Sequence, residues 1–377
     1  MKKLILFVII FNILTLSAFA DGPKEISAPS VILMEQSSGR VLYEKGADIK
    51  RPIASVTKVM TALLLMEKID AGEIKYTDMI TTSENAFAMG GSQVYLEVGE
   101  QMSVDDMLKA LMVASGNDAA VAIGEHVSGS LPAFIELMNK KAKELGCTNS
   151  NFVNTNGLPE DNHYSSARDV ALISRELLSK HPDIIKYTTI WMDSLRGGEF
   201  QLANTNKLVV TYKGITGLKT GFTSDAMHCL SASATRDNLN LIAVVLGAPD
   251  SQRRFNDAAN LLDYGFDNFV FKEGITKDDV IIEVPVKKGK EEVLNLVAAT
   301  DYAVLDEKKS NVEIEKIITT DDEITAPVLK GQKYGMLTFK KGDKVLGEIE
   351  LVAQNDIAKK GFFDLFAEFF AKFLGMK

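Results

Sequence analysis

Three short polar strings in this chain have the makings of a covalent catalytic centre. Ser55-Val56-Thr57-Lys58 places a hydroxyl and an amine at i and i+3, which share one face of a helix. A serine hydroxyl is a weak nucleophile until a base removes its proton. Lysine supplies that base if its pKa falls from about 10.4 toward neutrality, through burial or a second cation nearby. Ser115-Gly116-Asn117 interrupts a long apolar helical run, MLKALMVA before it and AAVAIGEH after it. Polar groups amid so much apolar sequence are costly unless they face a cleft. In such a cleft Ser115 relays a proton, and Asn117 holds Lys58 and a substrate amide. Lys219-Thr220-Gly221 closes an extended run, where Lys219 and Thr220 can point into the cleft and Gly221 leaves room for a substrate backbone. A cation there attracts a carboxylate and depresses the pKa of Lys58. Each string taken singly has a plainer meaning: a helix cap at Ser55, a solvated strand end at Lys219. Ser83-Glu84-Asn85 also fits the second pattern, but it lies in a polar stretch and reads as a loop or cap.

The elements that must bring these strings together alternate in type. Ser30–Glu44 reads as a strand pair turning at Ser37-Ser38-Gly39. Helical periodicity covers Thr57–Ala71, Ser103–Val113, Ala119–Val127, Pro132–Leu145, Ser166–Leu178 and Gln252–Tyr264. Ser103 followed by Asp106 resembles an N-terminal capping signal. Extended signals cover Lys207–Thr220, His228–Thr235 and Leu239–Leu246, the last two separated by the turn Arg236-Asp237-Asn238. After about residue 275 only short alternating runs remain: Val280–Val286, Val293–Ala299, Val312–Ile318, Ile324–Leu329, Gly335–Phe339 and Val345–Val352. This predicts a small all-β domain.

The text around the strings carries a family resemblance. ASVTKVMTALLLMEK, LKALMVASGNDAAVAIGEH, FVNTNGLPEDNHYSSARDVALISREL and GITGLKTGFTSDAMHCLSASATRDNLNLIAVVLG resemble the low-molecular-mass penicillin-binding proteins, specifically the serine-type D-alanyl-D-alanine carboxypeptidases. The combination of S-x-x-K, an S-x-N string and K-T-G belongs to that group and to class A β-lactamases. The resemblance implies an α/β (α+β) penicillin-binding/β-lactamase-like transpeptidase domain, with an antiparallel sheet and a helical cluster, over residues 21–272. A β-rich domain follows over 273–355 and an amphipathic helix over 356–377. It implies that Ser55 attacks the carbonyl between two terminal D-alanines of a peptidoglycan stem peptide, and that Lys58 accepts its proton. Ser115 passes a proton to the leaving D-alanine, Asn117 orients substrate and lysine, and Lys219, Thr220 and Gly221 receive the substrate's carboxylate end. The backbone N–H groups of Ser55 and Phe222 form the oxyanion hole. Some family members carry His at the position of Phe222, a change that leaves a backbone role intact. β-Lactam antibiotics are the implied inhibitors, and neither a metal nor a cofactor is implied.

Rival readings depart from the pattern. A class A β-lactamase needs a deacylating glutamate in a Glu-x-x-Leu-Asn string between the second and third motifs. Here the only such string, Glu291–Asn295, follows the third motif. A Ser-His-Asp hydrolase lacks its G-x-S-x-G elbow, and His126, His163, His181 and His228 offer Ser55 no obvious partner. A non-enzymatic wall-binding protein would keep the cleft and lose turnover, yet every motif residue is present.

Composition bounds the rest. The 377 residues are 46% hydrophobic and 25% charged, an ordinary globular balance. A net charge of −9 disfavours nucleic-acid binding, which needs a basic face. Two cysteines, Cys147 and Cys229, cannot form a disulfide framework or a cysteine zinc cluster and read as packed core thiols. Four histidines without metal spacing make a zinc site a poor fit. Lys2 and Lys3, the apolar run Leu4–Leu16 and Ala18-Phe19-Ala20 read as an export signal cleaved after Ala20. At the other end Phe362, Leu365, Phe366, Phe369, Phe370 and Phe373 line one helical face opposite Asp364, Glu368 and Lys372. Such a helix is too short and too charged to span a bilayer but can lie in its interface, so residues 357–377 are expected to anchor the exported protein to a membrane surface.

Overall fold

Strand β1 (Ser30–Glu35) is buried at all six positions, as a strand with both faces covered must be. Its last residue builds the next turn. The buried Glu35 carboxylate accepts hydrogen bonds from the amides of Ser37 (2.8 Å) and Ser38 (2.7 Å), folding the chain back into β2 (Val41–Lys45). Strands β3 (Ile215–Thr223), β4 (Met227–Arg236) and β5 (Leu239–Ala248) complete an antiparallel sheet of order β2-β1-β5-β4-β3. The Asp237-Asn238 turn joins β4 to β5 with both residues at positive φ (48° and 63°), as the turn chemistry predicted.

Helix α1 (Lys58–Asp70) is buried from Lys58 to Met66 without a break. A helix apolar on nearly every side belongs in the middle of a fold, and this one carries its first residue, a lysine, inside with it. Around it stand α2 (Val104–Met112), α3 (Asn117–Ser128), α4 (Leu131–Glu144) and α5 (Ala167–Lys180), while α6 (Ser251–Asn268) lies against the sheet strands, its Gly265 close to Leu33 and Leu241. Ser103 caps α2 by accepting from the Asp106 amide at 3.1 Å, and Ser83 caps the short turn Glu84–Phe87 in the same way, so the second S-x-N string is a cap. The core of α1 to α5 and the sheet is one continuous apolar cluster.

The structure is a computed structural model that describes residues 22–310, 312–364 and 366. It divides into two units, Met1–Gly265 and Phe266–Lys377. The expected boundary after residue 272 falls inside β6 (Phe269–Ile275), which pairs with a strand of the second unit. That unit continues with β7 (Val280–Lys287), β8 (Val293–Ala298), β9 (Tyr302–Glu307), β10 (Glu315–Thr320), β11 (Ile324–Thr325), β12 (Lys333–Lys341) and β13 (Lys344–Ala353). Six of them form a sheet of order β10-β12-β13-β8-β7-β11, and β6 pairs with β9.

Three expectations need correction. Residues 207–214 are not extended: Leu208–Thr211 is a helical turn, started by the Asn206 side chain, which accepts from the Leu208 amide at 3.2 Å. The expected strand Ile324–Leu329 shortens to Ile324–Thr325, with Val328 bridging instead to Ile357. That bridge moves the start of the C-terminal segment. Ile357 is 1% exposed in the core of the second unit, and residues 358–360 are bonded to residues 288–290. The apolar helical segment therefore begins after residue 360. Phe362, Phe363 and Phe366 are exposed there; most of the expected stripe, like the export signal, lies outside the described residues. No described helix is long and apolar enough to cross a membrane.

Candidate active site

Ser55 sits in a 3-10 turn, Ala54–Thr57, that runs directly into α1. The residue before it, Ala54, holds a left-handed φ of 46°, a conformation that costs a residue with a β-carbon roughly 1–2 kcal/mol. Backbone from two other segments fixes this turn. Gly157 (φ 88°) lies so close that a β-carbon on it would fall 1.8 Å from the Ala54 carbonyl oxygen. Gly221 of β3 also packs on the turn, and a β-carbon there would stand 2.7 Å from the Ile53 carbonyl oxygen and 3.0 Å from the Ser55 amide nitrogen. The strand of the third motif is thus laid against the nucleophile's own N–H.

Lys58 is fully buried, with Nζ 3.0 Å from Ser55 Oγ, 2.6 Å from Asn117 Oδ1 and 2.9 Å from the Asn156 carbonyl oxygen. Burial pushes its pKa well below the usual lysine value, the charge of Lys219 pushes it further, and the Asp118 carboxylate pulls it partly back. A neutral amine has two N–H groups and one lone pair. Asn117 Oδ1 and the Asn156 carbonyl can only accept, so they take the two N–H groups. The lone pair then faces the Ser55 hydroxyl, the geometry of a base addressing its nucleophile.

Asn117 opens α3 and is fixed in turn. Its amide donates to the Ser92 carbonyl and its Nδ2 to the Gly90 carbonyl, both at 2.7 Å. Ser115, two residues earlier, is buried in the turn between α2 and α3 at a left-handed φ of 64°. Asp118 is buried and accepts from the amides of Val94 (3.0 Å) and Leu96 (3.2 Å), pinning the loop that supplies those carbonyls.

Lys219 is fully buried in β3, its pKa lowered to about 7 by burial first and the Arg254 charge second. Thr220 donates to Thr205 Oγ1 at 2.6 Å, and the Thr205 amide reaches the Val113 carbonyl at the end of α2. This ties the third motif to the turn of the second. Arg254 of α6 donates to the Gly221 carbonyl at 3.1 Å and to the Cys229 carbonyl at 3.4 Å, so a second cation underlies the strand. Phe222 is 58% exposed and stacked on His228, with ring centroids 4.4 Å apart. Asn156, Gly157, Asp118, Thr205 and Arg254 complete the site, and sequence reasoning assigned none of them a role.

Cys147 and Cys229 are both buried and free, as packed core thiols. The Glu291–Asn295 string lies on the second unit, at the turn into β8. The described residues contain no cluster of three or more metal-ligating His, Cys, Asp or Glu side chains.

His163 buttresses the turn from behind. Its Nδ1 accepts from the Val153 amide at 3.2 Å, which leaves Nε2–H to donate to Thr57 Oγ1 at 2.8 Å. Burial lowers its pKa to about 4. A folded value below the ordinary 6.5 means that the unfolded chain binds the proton more readily. The stability it supports is therefore complete above pH 6.5 and is lost as pH falls toward 4, by about 3 kcal/mol. Followed by NMR, the His163 ring should stay neutral down to about pH 5; a ring titrating near 6.5 would contradict this.

Comparison with known proteins gives the site its family. Residues 17–250 match the family described as D-alanyl-D-alanine carboxypeptidase, and residues 270–359 match the penicillin-binding protein 5 C-terminal domain. The chain belongs to the D-alanyl-D-alanine carboxypeptidase family. It is 43% identical over 356 residues to the D-alanyl-D-alanine carboxypeptidase DacF of Bacillus subtilis, covering 92% of this chain and 91% of that one. The crystal structure of penicillin-binding protein 5 from Haemophilus influenzae superimposes with a TM-score of 0.82 at 32% identity, over 90% of this chain and all of that one. The ampicillin-bound penicillin-binding protein D2 of Listeria monocytogenes covers 64% of this chain and 98% of its own, with a TM-score of 0.59 at 33% identity. The expected fold, a mixed α/β penicillin-binding domain followed by an all-β domain, is the observed one.

Proposed function

We propose that this family member removes the terminal D-alanine from peptidoglycan stem peptides ending in D-Ala-D-Ala, through an acyl-enzyme on Ser55. The observation that carries the reading is the lone pair of Lys58 facing the Ser55 hydroxyl, with both N–H groups of the amine held by acceptors. Lys58 takes the hydroxyl proton as Oγ attacks the carbonyl. The amides of Ser55 and Phe222 receive the developing oxyanion, supported by the closeness of Gly221 to the Ser55 nitrogen. Such donors are typically worth about 3–4 kcal/mol in the transition state. Lys219 and Thr220 bind the free carboxylate, Asn117 orients the substrate amide, and Ser115 returns a proton to the departing D-alanine. Water then releases the shortened peptide. β-Lactams, which mimic the dipeptide, acylate the same serine and leave slowly.

The test pairs two substrates. Stable labelling by a fluorescent penicillin together with D-alanine release from a D-Ala-D-Ala peptide is the expected result. Rapid hydrolysis of the penicillin would favour a β-lactamase, and neither signal would favour a wall-binding protein without turnover.

The protein works outside the cytoplasm, held at the membrane surface by the apolar stripe that begins at Phe362. Because Ile357 belongs to the β-domain core, the informative truncation ends at Gly361. The shortened protein is expected in the soluble fraction with full activity; a form that still sediments with membranes would place the anchor elsewhere.

A further inference from the structure

Asn117 takes its orientation from two carbonyls, those of Gly90 and Ser92, on the irregular segment 88–100. Gly90 and Gly91 give that part of the segment no side chain to anchor it and a wide choice of backbone conformations. Its position is set further along. Val94 is held at both ends of its own residue: its N–H donates to the buried Asp118 carboxylate at 3.0 Å, and its C=O accepts from Arg196 Nη1 at 3.0 Å. The Tyr95 carbonyl accepts from Arg196 Nη2 at 3.1 Å, and the Leu96 amide donates to Asp118 at 3.2 Å. An acid at the start of α3 and a base from a distant hairpin thus hold the same three residues.

Arg196 stands at the tip of that hairpin, which pairs Met192–Leu195 with Phe200–Ala203. Its φ is left-handed, 53°, a conformation that costs a residue with a β-carbon roughly 1–2 kcal/mol. Four hydrogen bonds offset that cost. Besides the two carbonyls, the guanidinium forks onto Glu100, with Nε 2.8 Å from Oε1 and Nη2 3.0 Å from Oε2. Glu100 also accepts from the Glu97 amide at 2.9 Å, and its own carbonyl takes the Thr82 amide at 2.8 Å, so the fork closes on the root of the same segment. The side chains of Arg196 and Glu100 are only 25% and 21% exposed, which sets this fork apart from a surface ion pair.

We propose that Arg196 is a positioning residue for the reaction: by clasping residues 94–100 it fixes the Gly90 and Ser92 carbonyls, and through them the Asn117 side chain that orients Lys58. The inference rests on the acyl-enzyme reading above, in which Asn117 serves the base. All four hydrogen bonds of Arg196 go to the segment, so its influence on the chemistry passes through Asn117. With the clasp open, Asn117 Oδ1 loses its hold on one N–H of the amine, and the lone pair turns away from Ser55.

Arg196→Ala in the full-length protein is expected to slow labelling by a fluorescent penicillin about tenfold, the effect of a displacement smaller than 1 Å. Arg196→Lys should fall between the two, because an ammonium keeps the charge but not the fork. Backbone hydrogen exchange read by mass spectrometry should quicken in peptides spanning 90–97 and stay at the parent level around Ser37 and Ser38. A double-mutant cycle separates positioning from a general loss of stability. In an Asn117→Ala background the arginine substitution should change the labelling rate by less than about twofold, since the group it acts through is gone. If Arg196→Ala folds poorly, Glu100→Gln keeps the shape and breaks the ionic fork, with an expected slowing of about threefold. A folded variant labelled at the parent rate, a loss undiminished in the absence of Asn117, or slow labelling with unchanged exchange over 90–97 would each overturn the role of Arg196. A parent that penicillin does not label would instead overturn the acyl-enzyme reading on which that role stands.

Discussion

Lys58→Ala is expected to slow penicillin acylation by about 10²–10⁴-fold, the usual contribution of a positioned general base. Ser55→Ala, which removes the atom to be labelled, sets the zero for the same assay. The alanine also withdraws the donor from two buried oxygens, Asn117 Oδ1 and the Asn156 carbonyl, so some loss of stability accompanies it. Lys58→Arg separates the two effects. Its guanidinium can still donate to both oxygens but stays protonated, with no lone pair to offer. An arginine variant as slow as the alanine one identifies proton acceptance as the function. Acylation near the parent rate in either variant would move the base elsewhere. Rates are read from fluorescent-penicillin labelling, with thermal unfolding as the check on the fold.

Gly157→Ala should lower kcat/KM by about 100-fold, although the residue contributes no side chain to the chemistry. A β-carbon placed 1.8 Å from the Ala54 carbonyl oxygen forces the turn carrying Ser55 to shift, and displacements near 1 Å cost reaction rates on that scale. The left-handed φ of 88° adds its own strain. Gly129 isolates that second cost, since it has φ 76° and open space around its would-be β-carbon. Gly129→Ala is therefore expected to lose a comparable increment of stability while keeping its activity. If both variants retain activity, the packing of Gly157 on Ala54 has no bearing on catalysis.

The contrast between Lys58 and Gly157 shows what could be read in the sequence. Ser55, Lys58, Asn117 and Lys219 announce themselves through side-chain chemistry at a spacing or within an apolar context. Helices such as α2 and α5 were legible from periodicity, because burial of one face imposes it, whereas α1 and β5 show as nearly continuous apolar runs. Asn156 and Gly157 act through a carbonyl and through the lack of a side chain, and neither leaves a mark that distinguishes it from any loop. Thr205 and Arg254 reach the site from distant segments, and only the folded chain brings them there. The error at 207–214 has a local cause. Val209, Val210 and Thr211 favour strands, but the Asn206 side chain supplies a helix start that outweighs their preference. The cap at Ser83 could be told from the motif at Ser115 only by context, one polar and the other deeply apolar.

The repulsion between the two buried amines has an outcome for the loaded enzyme. Burial first, and the cation at 219 second, oppose protonation of the amine at 58. On the proposed reading, a peptide terminus settling on that cation would cancel part of its field. The affinity of the first amine for a proton would then rise just as the serine must surrender one. A ligand without an anionic end would leave the acceptor weak, so on this arrangement the substrate itself switches on the base that will consume it.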